Sequence, residues 1–116
     1  MSEQSECTPQ SMAEMIDSVL KARVRAVLDG RPATEAELRK LFEEGRACAL
    51  ILDRQIEKGE QKLGELTSDP ESSIAELAAA FRRVNELRPC LAELDELLAE
   101  LATRAREFRA SWLLMH

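Results

Sequence analysis

The chain is predicted to be all-α: a long antiparallel helical hairpin of coiled-coil character, preceded by an N-terminal helix. Three observations predict it. Ala, Glu, Lys, Leu and Arg account for 66 of the 116 residues, above the roughly 50% that accompanies coiled coils and long helical bundles when a helical period is also present. There is no tyrosine, and the aromatics are three Phe and one Trp, so the ring and β-branched types that sheets draw on are scarce. Apolar residues also recur at spacings of three and four over long stretches, broken only by "DGRP" and "TSDPESS". A chain of this length builds one modest core, so a single domain over residues 11–116 is expected behind a mobile tail, 1–10.

The first helix is expected over 11–28. Ser11 can cap it, with Glu14 three residues on completing a capping box. Met12, Met15, Ile16, Val19, Leu20, Val24, Val27 and Leu28 then follow at helical spacing, which stacks them on one side. Gly30 and Pro32 end the helix, Gly by permitting a left-handed turn and Pro by refusing to continue.

Thr34 and Glu37 form a second capping box and start a helix over about 34–67. Its seam reads Leu38, Leu41, Gly45, Cys48, Leu52, Gln55, Gly59, Leu63, Leu66, with Phe42, Ile51 and Ile56 beside it. A mid-helix Gly costs about 0.8–1 kcal/mol relative to Ala, so Gly45, Gly59 and Gly64 call for a reason, and close approach of a neighbouring helix is one. In "TSDPESS" Asp69 can cap and Pro70 suits a first helical position, with Ser73 and Glu76 as the alternative start. The third helix is expected over 70–115, on a seam running from Ile74, Leu77 and Phe81 through Val84, Leu87, Leu91, Leu94, Leu98 and Leu101 to Ala105, Phe108, Trp112 and Met115.

One step breaks that seam. Val84 to Leu87 is a second spacing of three in succession, a stammer that shifts the phase of a coiled coil. Pro89 sits beside it, removes an N–H from the helix and crowds the Asn85 carbonyl, at a cost of about 3 kcal/mol in a helix interior. The third helix is therefore expected to be kinked or interrupted near Pro89, the alternative being that Pro89 opens a fourth helix.

Folding the second helix on the third about residue 69 would set Cys48 near Cys90, Asp53 near Arg88 and Arg46 near Asp95. It would also set Arg104 opposite Thr34, so that residues 105–116 overhang the hairpin by roughly 18 Å. Cys7, Cys48 and Cys90 are an odd number at wide spacing, unlike a secreted disulfide framework or a zinc site. Cys48 and Cys90 are expected to be small core residues, with a redox-sensing pair as the alternative.

The function classes narrow by exclusion. A net charge of −6 opposes nucleic-acid binding, which depends on neutralising phosphates. No apolar run approaches the roughly 18 residues of a membrane span, and "MSEQSECTPQ" lacks the features of a signal peptide, so a cytoplasmic location is expected. The sole histidine is His116, and the paired carboxylates lie on faces expected to be solvated. There is no phosphate loop, nucleophile elbow or Cys/His cluster. No catalytic, cofactor or metal site is expected, and the chain is read as non-enzymatic.

What remains is surface. The end of the third helix, "FRASWLLMH", is the most apolar stretch and carries Arg104, Arg106 and Arg109 beside it. The expectation is an intracellular protein-interaction module, a homodimer or the subunit of a helical complex, with Leu20, Val24, Val27, Phe108, Trp112 and Met115 as contact residues. The alternatives are an acidic helical chaperone or adaptor that shields a client helix, and a thiol-based sensor using Cys48 and Cys90.

Overall fold

The computed structural model describes residues 12–115. These form three helices and no strand: α1 (Met12–Leu28), α2 (Glu35–Ser68) and α3 (Ile74–Met115). The tail 1–10 and the Ser11/Glu14 capping box lie outside the described residues.

Local chemistry sets each visible boundary. At the end of α1, Gly30 has φ +115°, the only positive φ among the described residues. Its N–H donates to the Val27 carbonyl (3.1 Å) and that of Arg31 to Ala26 (3.0 Å), the two bonds of a Schellman motif. The α2 capping box forms as expected: Thr34 Oγ1 accepts from the Glu37 amide at 3.1 Å, and Glu37 Oε1 accepts from the Thr34 amide at 2.8 Å. At the other end the Thr67 and Ser68 hydroxyls donate back to the Leu63 and Gly64 carbonyls at 2.7 and 3.0 Å.

The third helix starts later than the expected residue 70. Asp69 turns its side chain onto the Glu71 amide (2.9 Å), and the Asp69 carbonyl accepts from Ser72 (3.1 Å). With Asp69 closing the turn, Ser73 takes over as cap and accepts from the Glu76 amide at 3.0 Å. Beyond it α3 runs for 42 residues and passes through Pro89 as one element, so no fourth helix begins there. Pro89 and Asn85 both face solvent, where water can satisfy the carbonyl that Pro89 leaves without a helical donor.

The helices run up, down and up. The α1 helix is tied by the Arg23–Glu44 ion pair (2.8 Å) to α2, its antiparallel neighbour. Lys21 reaching Glu93 (3.0 Å) and Arg104 donating to the Leu28 carbonyl (3.0 Å) fix it parallel to α3. A radius of gyration of 18.6 Å and extents of 68 × 35 × 17 Å exceed the ~13 Å radius of a compact domain near this length, because α1 covers only part of the hairpin. The core is one seam: Leu20, Val24 and Val27 from α1 against Leu41, Cys48 and Leu52 of α2 and Leu87, Leu94 and Leu101 of α3.

Two glycines set how closely α2 and α3 approach. A methyl group built on Gly45 would stand 2.5 Å from Leu98 Cδ2, and one on Gly59 2.6 Å from Val84 Cγ2. Either side chain would have to move, so both glycines are spacers. Gly64 meets nothing within 4 Å and is not one.

These contacts correct the expected register. The turn is centred on residue 71, because the helices end at Ser68 and restart at Ile74. Gly45 therefore meets Leu98 and Gly59 meets Val84, a shift of about five residues from pairing about residue 69. The same count sets residue 95, not Cys90, across from Cys48. Arg88 pairs with Glu60 rather than Asp53, and Arg109 bonds Glu35 at 2.8 Å, so α3 overhangs only past residue 109.

Candidate functional site

The first helix divides its apolar residues between two faces. Leu20, Val24 and Val27 are buried inside the bundle. Leu20, Val24 and Val27, expected as contact residues, thus pack within their own chain: α1 lies in the trough between α2 and α3, and the arc centred on Leu20 is the one the trough takes. Met15, Ile16 and Val19, which share the helical spacing, are left outside at 50%, 45% and 57% exposure. Ile51 and Leu50 are exposed on α2 at the same height as this outer face.

Asp17 and Lys21 occupy buried positions on α1, both about 4% exposed. Lys21 Nζ lies 2.8 Å from Asp17 Oδ2, one helical turn away, and 3.0 Å from Glu93 Oε1 on α3. Arg25 closes the group by bonding Glu93 Oε2. Burial raises the Asp17 pKa against the opposing hydrogen bond from Lys21. Burial would lower that of Lys21, but its hydrogen bonds to Asp17 and Glu93 prevail and it is raised. Glu93, hydrogen-bonded to Lys21, is lowered. Cys48 packs against the same cluster, and burial, reinforced by the Asp17 charge, pushes its thiol up. A raised thiol pKa makes Cys48 a poor nucleophile, and among the described residues no disulfide joins Cys48 to Cys90.

Asp17 Oδ1 is buried with no hydrogen-bond partner. No group of three or more His, Cys, Asp or Glu suited to a metal ion occurs among the described residues. The cluster serves as an anchor: it fixes the height at which α1 docks, since a slip of one turn would strand both charges in an apolar interior. Sequence reading passed over it because Asp17 and Lys21 fall between apolar residues. The available signal was their i,i+4 spacing on the arc of Leu20 and Val24.

The C-terminal end of α3 is held and exposed at once. Arg104 caps the α1 terminus through the Leu28 carbonyl, and Arg109 pairs with the first residue of α2. Arg104 and Arg109, which the sequence sets beside the apolar end, thus hold the α1–α2 turn. Phe108, Trp112 and Leu113 line a recess of about 310 Å³ with Glu35 and Arg109. Phe108 and Trp112 are each about half exposed, and Leu114 is 88% exposed. The Met115 side chain falls outside the described residues.

A second apolar recess, about 300 Å³, opens on the side of the hairpin away from α1, between Phe42, Ala49, Leu98, Ala99 and Ala102, with Arg46 and Asp95 at its rim. No helix among the described residues is long and apolar enough to cross a membrane. Comparison of the chain with protein-family models, with curated proteins and with solved structures finds no match.

Proposed function

We propose that this chain is a non-enzymatic protein-interaction module, which acts by burying its outer apolar side chains against another protein chain, a second copy or a helical partner. One observation carries the reading. Among the described residues eleven large hydrophobic side chains are exposed, against fourteen apolar residues in the core. Nine of them gather on the α1/α2 outer face and at the C-terminal end of α3, while Ile74 and Phe81 lie together near the α2–α3 turn, and grouped exposure of this kind marks contact surfaces.

Molar mass by light scattering tests it, on wild type and on Trp112→Glu and Val19→Glu. The reading expects a multiple of the 13.0 kDa chain mass, or else a monomer whose melting temperature neither substitution lowers by more than a degree or two. A monomer strongly destabilised by both would mean that these side chains serve the chain's own fold, and would overturn it. Trp112 is the only tryptophan, so a blue shift of its emission on association reports cover of the α3 end directly.

The recess beside Phe42 and Leu98 favours a second reading, a chaperone or adaptor that receives a client's amphipathic helix. That reading expects aggregation of the isolated chain, relieved by a co-expressed client.

A further inference from the structure

The geometry points to a second copy of this chain docked on the outer face of α1 and α2, related by a two-fold axis across both helices. This inference rests on the interaction reading above and names its partner and surface.

The α1 helix is apolar on both sides, with Leu20 and Val24 inward and Met15, Ile16 and Val19 outward. A helix of that kind belongs in the middle of a bundle, whereas here one side faces solvent. Together with Leu50 and Ile51, the outward side chains present roughly 400–500 Å² of apolar surface, a patch of the size that marks contact sites. An ~800 Å² half-interface that is ~56–65% apolar contains about that much.

The order of residues along the face identifies the occupant. Positions 40, 43, 47, 50, 54 and 57 follow at alternating steps of three and four, so they form one outward stripe on α2, all of them exposed. The stripe reads Lys40, Glu43, Ala47, Leu50, Arg54, Glu57 and is complementary to its own reverse. Two copies laid antiparallel about the midpoint between 48 and 49 set Lys40 against Glu57, Glu43 against Arg54 and Ala47 against Leu50, every pair occurring twice. None of the four charged residues is engaged in an ion pair among the described residues of its own chain.

The outward stripe of α1, Met15, Val19 and Ala22, behaves likewise. Antiparallel pairing about the midpoint between 18 and 19 sets Met15 against the small Ala22 and brings the two Val19 side chains together. A two-fold interface needs both stripes to share one centre, because a single axis must map each helix onto its copy. They do: the Arg23–Glu44 ion pair places the 18–19 midpoint of α1 opposite the 48–49 midpoint of α2. The result is a four-helix layer, α1 on α1 and α2 on α2, built from surfaces with one common centre.

The test is molar mass by light scattering from about 1 to 100 μM, on wild type, Arg54→Glu and the double variant Glu43→Arg/Arg54→Glu. Wild type is expected at twice 13.0 kDa. Arg54→Glu sets like charges together at two symmetric places and is expected to weaken the dimer about tenfold. The double variant recreates both pairs with their signs exchanged and is expected to return the dissociation constant to within about threefold of wild type. Val19→Glu, with helicity followed by circular dichroism to confirm folding, is expected to abolish the dimer.

A wild-type monomer across the range overturns the second copy while leaving a foreign helical partner for the interaction reading. A dimer indifferent to all three variants overturns this face and moves self-association to another surface such as the α3 end. Weakening by Arg54→Glu without rescue in the double variant overturns the Glu43–Arg54 pairing and the proposed axis with it.

Discussion

Gly45, Gly59 and Gly64 share a helix and a residue type but not a role. At Gly59 the neighbour is Val84, whose branched side chain has little rotamer freedom in a helix. Gly59→Ala gains about 1 kcal/mol of helix propensity but meets an overpacking cost of about 1–3 kcal/mol, so it should lower stability in urea unfolding. Gly64→Ala meets nothing within 4 Å and should raise stability by about 0.5–1 kcal/mol. Lys21 and Asp17 show the same dependence on context. Lys21→Met alone strands the buried Asp17 carboxylate and should cost about 3–5 kcal/mol, whereas Asp17→Leu/Lys21→Met should be neutral or stabilising by about 1–4 kcal/mol. The cluster also fixes the alkaline limit. Cys48 is held above its ordinary value near 9.0 and Lys21 above 10.5, so in both cases the native state keeps a proton that the unfolded chain loses. Stability should therefore begin to fall above about pH 9 and fall further as pH rises past 10.5 through the raised native value of Lys21. Thermal melts at increasing pH read this directly, and Cys48→Ala should remove the earlier part of the loss.

Among the elements, α3 is the longest and contains its own weak point. Pro89 sits in a continuous helix on the solvent side. Because nothing in the core depends on its ring, Pro89→Ala restores a helical hydrogen bond and should raise stability by about 1–3 kcal/mol. A loss instead would mean that the bend preferred by Pro89 is needed for the packing of Leu87 and Leu94. The α1 helix is governed differently. At 17 residues it is near the length at which an isolated helix is marginal, so its order depends on docking through Leu20, Val24 and the Lys21–Glu93 bond. Glu93→Ala should loosen α1 before the hairpin, which hydrogen exchange would report as lost protection over residues 16–28 with α2 and α3 amides retained.

For the whole molecule, the slender 68 × 35 × 17 Å shape leaves too little interior for the apolar residues that the sequence supplies. The proposed association would resolve that imbalance by burying the α1/α2 outer face. If a second copy provides the cover, the melting temperature must rise with protein concentration, since the folded dimer is favoured by mass action. Calorimetric scans of wild type between about 5 and 500 μM should show that rise, and Val19→Glu should show a concentration-independent transition. A concentration-independent wild type would place the cover in another protein.

Helical class, the Thr34/Glu37 cap, the Gly30 stop and the α2 seam from Leu38 to Leu52 were legible in the chain, because they depend on spacing within one helix and on chemistry between residues three or four apart. The turn was legible only to within a few residues. Asp69 and Ser73 are both competent caps, and the choice between them shifted the pairing by five residues and moved Cys90 from its expected place across from Cys48. The division of α1 into inner and outer faces was not legible at all. Its apolar residues span an arc wider than the trough between α2 and α3 can cover, and nothing along the sequence says which part of that arc docks. Tertiary packing decided it: burying Leu20, Val24 and the Asp17–Lys21 pair beside Glu93 excluded Met15, Ile16 and Val19, and it is this exclusion that leaves the outer face of α1 apolar and exposed.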